Sequence, residues 1–469
     1  MTLDELCRRR AAVWGLGQEG LATAALLIGR GVVPVLIDDD VETASKRASA
    51  LPEGAPAVVA PASAPWSQIE AVVRAPGVSR YRPELAAAAE SGTVVTTAMA
   101  MWLEDFAGAR VVAITGTKGK STTAALTASI LRHEGMQVAL IGNIGVPVVD
   151  MYDGPPVDAY VVEVSSYQAA DVTVTPGVCV LTSLAPDHLD WHGGQERYYR
   201  DKLRLIEAGP LGAVAVNAAS PEAVRRTDGH PGRTLFGPAG RVRVDPSGTI
   251  EVDGEGVVDS GRLRLPGRHN VWNLCGAIAG ATLLGGRCPS PGSVGDAVDA
   301  FEGLPSRCRT IGQRDGLTFV DDALASNPFA TVTSVEAFPG RELTVILGGA
   351  DRGIDIRPLV EALARRSPTP RVIVLPPDEQ RLRAAFGPPT GRPQAAVPVR
   401  EAGDIDGAVR SAVEWTPDGG VILFSPAAPT PSGQGGYGER SRRFAAASGV
   451  SDRPAPQGGP PQGRATGED

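Results

Sequence analysis

The chain has 469 residues, of which 42% are hydrophobic and 21% are charged. This apolar content is enough to form large buried cores, which excludes an intrinsically disordered protein and a small disulfide scaffold. The net charge of −8 comes without basic clusters. It argues against nucleic acid as a partner, because binding a phosphate backbone needs a concentrated cationic face.

No segment reaches the roughly 18 to 20 apolar residues of a membrane helix, and residues 1–10 are charged rather than leader-like. We therefore expect a cytoplasmic protein with no membrane partner. The five cysteines are scattered without a CxxC pair, which favours reduced packing residues over a disulfide or zinc framework.

The predicted elements alternate between strand and helix along most of the chain. In the first hundred residues, the predicted strands are 11–14, 32–37, 71–73 and 93–96, and the predicted helices are 20–30 and 82–91. A second series has predicted strands at 109–115, 138–141, 159–164, 178–183 and 213–217, with a helix at 124–133. Such alternation favours mostly parallel sheets covered by helices.

The pattern changes after Arg233. Short alternating pieces at 242–244, 249–252 and 262–265 predict a small β excursion. A third α/β series follows Arg307, with predicted strands at 317–320, 342–347, 371–375 and 420–424. Residues 451–469 are rich in Pro, Gly and Gln, so we predict a disordered tail there.

A glycine turn connects the first predicted strand to the first predicted helix. Its sequence, WGLGQEG at 14–20, contains GxGxxG, and three aspartates at 38–40 close the next strand. Such a turn lets a phosphorylated ligand approach the N-terminus of a helix. By itself it is compatible with a nicotinamide or flavin dinucleotide, with another nucleotide, or with a turn that serves only packing.

A phosphate-binding loop opens the second series. The segment ITGTKGKSTT at 114–123 lies between an apolar strand and a helix. In such a loop the backbone amides surround the β-phosphate, Lys120 contacts the β and γ oxygens, and the Ser121 hydroxyl binds Mg²⁺. Ile114 stands where the strict P-loop motif has glycine, so only the shorter TGTxGKST form is present. This loop predicts a bound nucleoside triphosphate.

Candidate metal ligands and an activated lysine lie downstream. Glu163 ends an apolar strand, where ligands bind in open α/β sheets, and it suits Mg²⁺. His188, His192 and Lys202 fall within a short stretch, although the chain has only five histidines and four lysines. Lysine, unlike arginine, can bind a phosphate as a point charge or become a neutral nucleophile. For His192 alone, a packing role is the better interpretation.

Together these motifs resemble the Mur ligases of peptidoglycan synthesis over residues 11–448. The resemblance rests on GTKGKSTT at 116–123, GNIG at 142–145, EVSSYQ at 163–168, DHLD at 187–190, Lys202, GRHNVWN at 267–273 and LPSR at 304–307. It is strongest to the branch that adds glutamate to UDP-N-acetylmuramoyl-L-alanine. The resemblance implies an α/β protein of three domains followed by the tail: a Rossmann-like UDP-binding domain (1–106), a central P-loop-type ATPase domain with a parallel sheet (107–307), and a C-terminal Rossmann-like domain that brings the amino acid and closes over ATP (308–450).

The resemblance also implies roles for individual residues. Lys120, His188 and Lys202 would be catalytic, and two Mg²⁺ ions would be held by Ser121, Glu163, His188 and a carbamoylated Lys202. The residues that contact ATP would be Gly116, Thr117, Lys118, Gly119, Lys120, Ser121, Thr122, Asn270, Asn273, Arg307 and Asp322. The residues that contact the UDP substrate would be Gly15, Leu16, Gly17, Asp38 or one of its two aspartate neighbours, Asn143 and Ser165.

The implied reaction is an ATP-dependent amide ligation. The alanyl carboxylate attacks the γ-phosphate to give an acyl phosphate, which the glutamate amine then displaces. Three departures from the family pattern bear on this reading: Lys118 replaces Asn in the phosphate loop, DALASN at 322–327 has Leu324 in place of a lysine, and GGADRG at 348–353 has Arg352 in place of another.

The departures favour a branch that uses L-glutamate and relies on a downstream epimerase. The chain also resembles that branch at WGLGQEG (14–20), PGVSRYR (76–82), TGTKGKST (115–122) and YRDK (199–202). D-glutamate, a non-catalytic UDP-sugar-binding scaffold, a nicotinamide oxidoreductase and a folate polyglutamate ligase are the alternatives.

Overall fold

Three β-sheets, each covered by helices, form the fold. The structure, a computed structural model, describes residues 1–209, 212–351, 353–386, 397–431 and 435–450. It divides into two compact units. The first contains Met1–Leu263 and Val271–Phe301, and the second contains Arg264–Asn270 and the described residues from Glu302 onward. Arg352 and the predicted tail at 451–469 lie outside the described residues.

The first sheet is entirely parallel and lies in the first unit. Its strands, in the spatial order β3-β2-β1-β4-β5, are β1 (Ala11–Trp14), β2 (Val35–Ile37), β3 (Val58–Val59), β4 (Ala71–Arg74) and β5 (Val94–Thr96). The accompanying helices are α1 (Leu3–Cys7), α2 (Gln18–Gly29), α3 (Val41–Ala48), α4 (Pro83–Glu90) and α5 (Ala98–Asp105). This is the order of a doubly wound sheet, whose ligand crevice opens where the order reverses, between β1 and β4.

The second sheet, also in the first unit, has nine strands in the order β14-β13-β12-β11-β10-β9-β6-β8-β7. They are β6 (Val111–Thr115), β7 (Val138–Gly142), β8 (Ala159–Glu163), β9 (Val178–Leu181), β10 (Ala213–Asn217), β11 (Arg233–Gly237), β12 (Val242–Val244), β13 (Thr249–Val252) and β14 (Glu255–Asp259). The helices between residues 120 and 299 are α6 (Lys120–His133), α7 (Ser166–Ala169), α8 (Leu189–His192), α9 (Gln195–Glu207), α10 (Pro221–Arg226), α11 (Arg268–Gly285) and α12 (Pro291–Asp299).

The strand predicted at 262–265 is wrong. Asp253 and Gly254 both have positive φ, at 54° and 91°, and form a tight two-residue hairpin turn. The chain therefore reverses directly into β14, which pairs antiparallel with β13. The strand ends at Asp259, whose side chain accepts a hydrogen bond from Gly261 N and starts a short 3₁₀ turn.

The third sheet lies in the second unit and has the order β15-β16-β20-β17-β18-β19. Its strands are β15 (Arg309–Arg314), β16 (Leu317–Asp321), β17 (Leu343–Leu347), β18 (Arg371–Val374), β19 (Val399–Glu401) and β20 (Val421–Phe424). The helices of this unit are α13 (Pro328–Glu336), α14 (Arg357–Ala364), α15 (Glu379–Phe386), α16 (Ile405–Trp415) and α17 (Tyr437–Ser448). Sequence reasoning missed β15 and β19, the two edge strands, because edge strands carry polar residues instead of an apolar run.

The core of the first unit continues from the first sheet into the second. Trp102 stacks on Phe106, with ring centroids 4.7 Å apart, and meets Tyr160 edge-on at 5.1 Å.

All five cysteines lie in the described ranges and are free thiols, as expected. Within those same ranges, no helix has the length and hydropathy needed to span a bilayer.

Candidate active site

A cavity of about 410 Å³ opens at the crevice of the first sheet. It is lined by the predicted substrate residues Gly15, Leu16, Gly17, Asp38 and Asn143, and by Gln18, Glu19, Asp39, Ala75, Pro76, Gly77, Val78, Gly142, Gly145, Pro147 and Gln168. Residues that follow β1, β2, β4, β7 and β8 thus share one cavity. Ser165 does not line the cavity. Its hydroxyl accepts a hydrogen bond from the backbone N of Gln168, which does line the cavity.

Two glycines of the glycine turn allow neighbouring segments to pack closely against it. Gly15 has φ +93°, and a Cβ there would lie 2.9 Å from both the Ala75 Cβ and a Val78 methyl. A Cβ at Gly20 would lie 1.9 Å from the Gly15 carbonyl oxygen, so α2 packs against the turn only because this residue is glycine. The N-terminus of α2 is thereby fixed at the cavity wall, where it favours an anion.

The three aspartates after β2 have different roles. Asp38 accepts hydrogen bonds from Leu16 N at 2.7 Å and Asp40 N at 3.0 Å, so it shapes the glycine turn. Asp40 caps α3 by accepting from Thr43 N. Asp39 is exposed and accepts two hydrogen bonds from Arg82 Nη1, each 2.8 Å long.

The phosphate-binding loop joins β6 to α6. Gly116 and Gly119 have φ values of +147° and +89°, and a Cβ at either position would lie 2.1 to 2.3 Å from a neighbouring side-chain oxygen. That oxygen belongs to Thr182 for Gly116 and to Asn273 for Gly119. Lys120 Nζ donates to the Gly116 and Thr117 carbonyls at 2.9 and 3.1 Å. The lysine therefore lies over the loop whose phosphate ligand it is predicted to bind.

Lys202 is the second lysine at this loop. Its Nζ, buried on α9, donates to the Gly116 carbonyl at 2.9 Å, so Lys120 and Lys202 share one acceptor. Burial, and then the charge of Lys120, lower the pKa of Lys202 well below its usual value. Among the described carboxylates none forms an ion pair with Lys202. A neutral buried amine is the form that reacts with carbon dioxide to give a carbamate, so the setting fits the predicted modification.

Glu163 ends β8 and is fully buried. Its Oε1 accepts from Asn143 Nδ2 at 2.9 Å, whereas its Oε2 is buried and has no hydrogen-bond partner. An orphaned carboxylate oxygen costs free energy unless something occupies it. A divalent cation is the occupant that a carboxylate suits best.

His188 has φ 52° and is about half exposed, and its ring lies 4.9 Å from that of Tyr167. Burial lowers the pKa of His188, which favours the neutral ring that a metal ligand requires. Lys118 is exposed, with Nζ 3.6 Å from an Asp187 oxygen. Ser121 and Thr122 lie in the first turn of α6.

The predicted metal ligands fit Mg²⁺ through their donor types. In the described part of the chain, no three His, Cys, Asp or Glu side chains are grouped to hold a metal. The predicted set does not require such a group, because it uses a serine hydroxyl and a carbamoylated lysine beside Glu163 and His188. The orphaned Glu163 Oε2 is the observation in favour of this set.

The remaining predicted nucleotide residues are divided between the two units: Asn273 belongs to the first, and Asn270, Arg307 and Asp322 belong to the second. Asn273 Oδ1 accepts from Thr123 Oγ1 at 3.4 Å, beside the phosphate loop. Asn270 donates to the Pro266 carbonyl at 2.7 Å. In the second unit Arg307 is exposed, whereas Asp322 is buried after β16.

Asp322 is fully hydrogen-bonded within its own unit. Its oxygens accept from Cys308 N at 3.0 Å and from the hydroxyls of Ser334 and Ser425, each at 2.6 Å. Burial raises its pKa to about 6. The contact of Asp322 with ATP stays a prediction.

Sequence reasoning missed a buried ion pair beside the cavity. Arg74, at the end of β4, pairs with Asp171 and donates to the carbonyls of Val78 and Tyr167 at 3.0 and 2.7 Å. A charged residue ending an apolar strand was the available signal at Arg74. The expected packing role of His192 fits its contacts: the ring is buried, with Nδ1 2.7 Å from Asp201 and Nε2 3.0 Å from Ser166 Oγ.

Comparison with known proteins gives the class. The family descriptions "Mur ligase MurD-like, N-terminal domain", "Mur ligase middle domain" and "Mur ligase, glutamate ligase domain" match residues 9–97, 114–281 and 306–428. The chain belongs to the Mur ligase family, and its predicted α/β fold of three domains is confirmed.

Within this family, the chain is similar to ligases with a specific name. The chain is 40% identical to a UDP-N-acetylmuramoyl-L-alanine--L-glutamate ligase of a Micromonospora species, over 95% of this chain and 98% of the relative. It is also 40% identical to the protein of the same name from Salinispora tropica, over 95% and 99%. The solved structure of MurF ligase from Thermotoga maritima in complex with ADP matches 95% of this chain and 98% of its own, with a TM-score of 0.57 and 15% identity, and so shares the fold.

Proposed function

We propose that this chain joins L-glutamate to UDP-N-acetylmuramoyl-L-alanine and converts ATP to ADP and phosphate. The observation that carries the proposal is the 40% identity, over 95% of the chain, to relatives that bear the name of this activity. The convergence of Lys120 and Lys202 on the Gly116 carbonyl supports it, because a scaffold that only binds a sugar nucleotide needs neither lysine.

The reaction follows from the chemistry of the substrates. The alanyl carboxylate is a poor electrophile, so one of its oxygens attacks the γ-phosphorus and ADP leaves, which gives an acyl phosphate. The amine of glutamate then attacks the carbonyl carbon, and the tetrahedral intermediate expels inorganic phosphate. Lys120 offsets the repulsion between the anionic carboxylate and the anionic triphosphate.

Ser121, Glu163, His188 and carbamoylated Lys202 would hold two Mg²⁺ ions. Bound Mg²⁺ neutralises charge on the transferred phosphoryl group. Replacing Lys202 with arginine tests this assignment most directly, because arginine is also a cation but forms no carbamate.

L-glutamate is favoured over its enantiomer by the relatives' names and by Leu324, which stands where the D-glutamate branch has a lysine. The product then carries L-glutamate, so we infer that a separate epimerase acts on it afterwards. A cytoplasmic location would give the chain access to ATP and to the sugar nucleotide.

The test is phosphate release from ATP and Mg²⁺ with UDP-N-acetylmuramoyl-L-alanine, run with each glutamate enantiomer. A Lys120→Met variant controls for contaminating ATPases. Turnover with the L form alone supports the proposal, and turnover with the D form alone contradicts the choice of enantiomer. If neither enantiomer gives phosphate release while the sugar nucleotide still binds, the result points to a non-catalytic UDP-sugar-binding scaffold.

A further inference from the structure

Glu19 is a carboxylate in the wall of the cavity that the sugar nucleotide is proposed to fill. It belongs to the glycine-turn sequence at 14–20 and lies in the first turn of α2. Its Oε2 accepts a hydrogen bond from Gln168 Nε2 at 2.8 Å, while its Oε1 is buried and has no hydrogen-bond partner. A negative charge here would face the same helix end that attracts a diphosphate.

The contacts of Gln168 decide which oxygen of Glu19 can carry a proton. Gln168 Oε1 accepts from the backbone N and the hydroxyl of Ser165, both at 3.0 Å, so its Nε2 must be the atom directed at Glu19. Glu19 Oε2 is therefore an acceptor, and a proton on this carboxyl group resides on Oε1. Protonation would relieve the cost of burying an ionised oxygen with no partner.

The surrounding charges do not stabilise an ionised Glu19 strongly. The cation that acts on it is Arg74, which is already paired with Asp171. Asp38 and Asp39 line the same cavity and add negative charge. Desolvation outweighs the hydrogen bond from Gln168 and the charge of Arg74, and it raises the pKa of Glu19 to about 7.

We propose that Glu19 is a binding residue for the diphosphate of the sugar nucleotide and that the protonated form of its carboxyl group is the form that binds. This inference rests on the proposed function, which supplies the diphosphate ligand. A dianionic diphosphate at the N-terminus of α2 repels an ionised Glu19 through a poorly solvated wall and tolerates a neutral one. Binding is therefore accompanied by uptake of a proton at Glu19.

The test measures binding of UDP-N-acetylmuramoyl-L-alanine without ATP, by titration calorimetry from about pH 6 to about pH 8.5. The diphosphate of this ligand is esterified at both ends and keeps its charge across that range. For the wild-type chain we expect affinity to fall about tenfold per pH unit above about pH 7. Buffers of different ionisation enthalpy should report uptake of about one proton near pH 8.5.

Two variants accompany the wild type. E19Q keeps a neutral side chain of the same shape, so its affinity should be independent of pH and exceed that of the wild type at high pH. E42Q is the matched control, because Glu42 is exposed and forms an ion pair with Lys46 on α3, so it should keep the wild-type slope.

Two of the remaining outcomes contradict the role of Glu19 alone, and a third contradicts the proposed function as well. A wild-type affinity that is flat with pH and takes up no proton overturns the role of Glu19 while the proposed function stands. An E19Q affinity that differs from the wild-type affinity by the same factor at every pH also overturns the role of Glu19, because it would mean that Glu19 only positions Gln168. Failure of all three proteins to bind the sugar nucleotide at any pH overturns the proposed function together with this inference.

Discussion

The Arg74–Asp171 ion pair gives the most direct test of how the first unit is stabilised. Both side chains are buried, with exposed fractions of 0% and 4%. Asp171→Asn keeps the size of the side chain and removes its charge, so the Arg74 guanidinium is left buried without a counterion. Removing one partner of a buried pair is far more damaging than replacing both with apolar residues.

The expected cost can be bounded from the contacts. Breaking a buried pair costs about 3 to 5 kcal/mol. Arg74 retains its hydrogen bonds to the carbonyls of Val78 and Tyr167, and the asparagine oxygen can still accept a hydrogen bond, which points to the lower end. We therefore expect a loss of about 3 kcal/mol in the free energy of unfolding, or more than about a hundredfold in the unfolding equilibrium.

Urea unfolding followed by tryptophan fluorescence is the assay. Five of the six tryptophans lie in the first unit, and the ring of Trp191 lies 5.1 Å from the Arg74 guanidinium carbon, so the signal reports on the relevant region. Asp228→Asn is the matched control. Asp228 pairs with Arg233 at 3.0 Å, but its side chain is 79% exposed, so its loss should cost less than about 1 kcal/mol.

The comparison has a clear refuting result. If Asp171→Asn and Asp228→Asn destabilise the chain equally, burial does not determine the strength of the Arg74 pair. Unchanged unfolding of the Asp171→Asn variant, with a fluorescence at zero urea that matches the wild type, would also contradict a stabilising role for this ion pair.

Three further predictions concern the phosphate loop and its neighbours. Lys202→Arg should lower phosphate release at least about a thousandfold while calorimetry finds sugar-nucleotide binding unchanged, and full activity would contradict the carbamate. Gly119→Ala should abolish ATP binding, measured by fluorescent-nucleotide displacement. Gly119 has a left-handed backbone, and an added Cβ would lie 2.3 Å from a side-chain oxygen. Gly108→Ala is the control and should bind ATP normally, because a Cβ at Gly108 meets nothing within 4 Å. His192→Leu should destabilise the chain in urea by at least about 2 kcal/mol, because it leaves the buried Asp201 carboxylate without its 2.7 Å partner; an unchanged midpoint would argue against that role.

Local features of the fold can be predicted from the amino-acid sequence alone. Apolar runs at 11–14 and 213–217 became strands with those same bounds, because each is a short, almost fully buried run with a glycine at one end. The phosphate loop and the glycine turn could also be predicted from the sequence, since each places glycines and the start of a helix within a few consecutive residues. The error at 262–265 was local too: a positive-φ turn at Asp253–Gly254 carried the signal and was overlooked.

Contacts between distant residues depend on how the whole chain folds. The sequence identified Lys120 and Lys202 separately, but the fold brings both onto the Gly116 carbonyl. Arg74 reaches Asp171 across nearly a hundred positions, and Glu19 reaches Gln168 across 149. Local patterns encode backbone conformation and the buried face of an element, whereas such contacts depend on how whole elements are stacked. The raised pKa of Glu19 and the lowered pKa of Lys202 belong to this second group, because both shifts come from burial that no short stretch of sequence specifies.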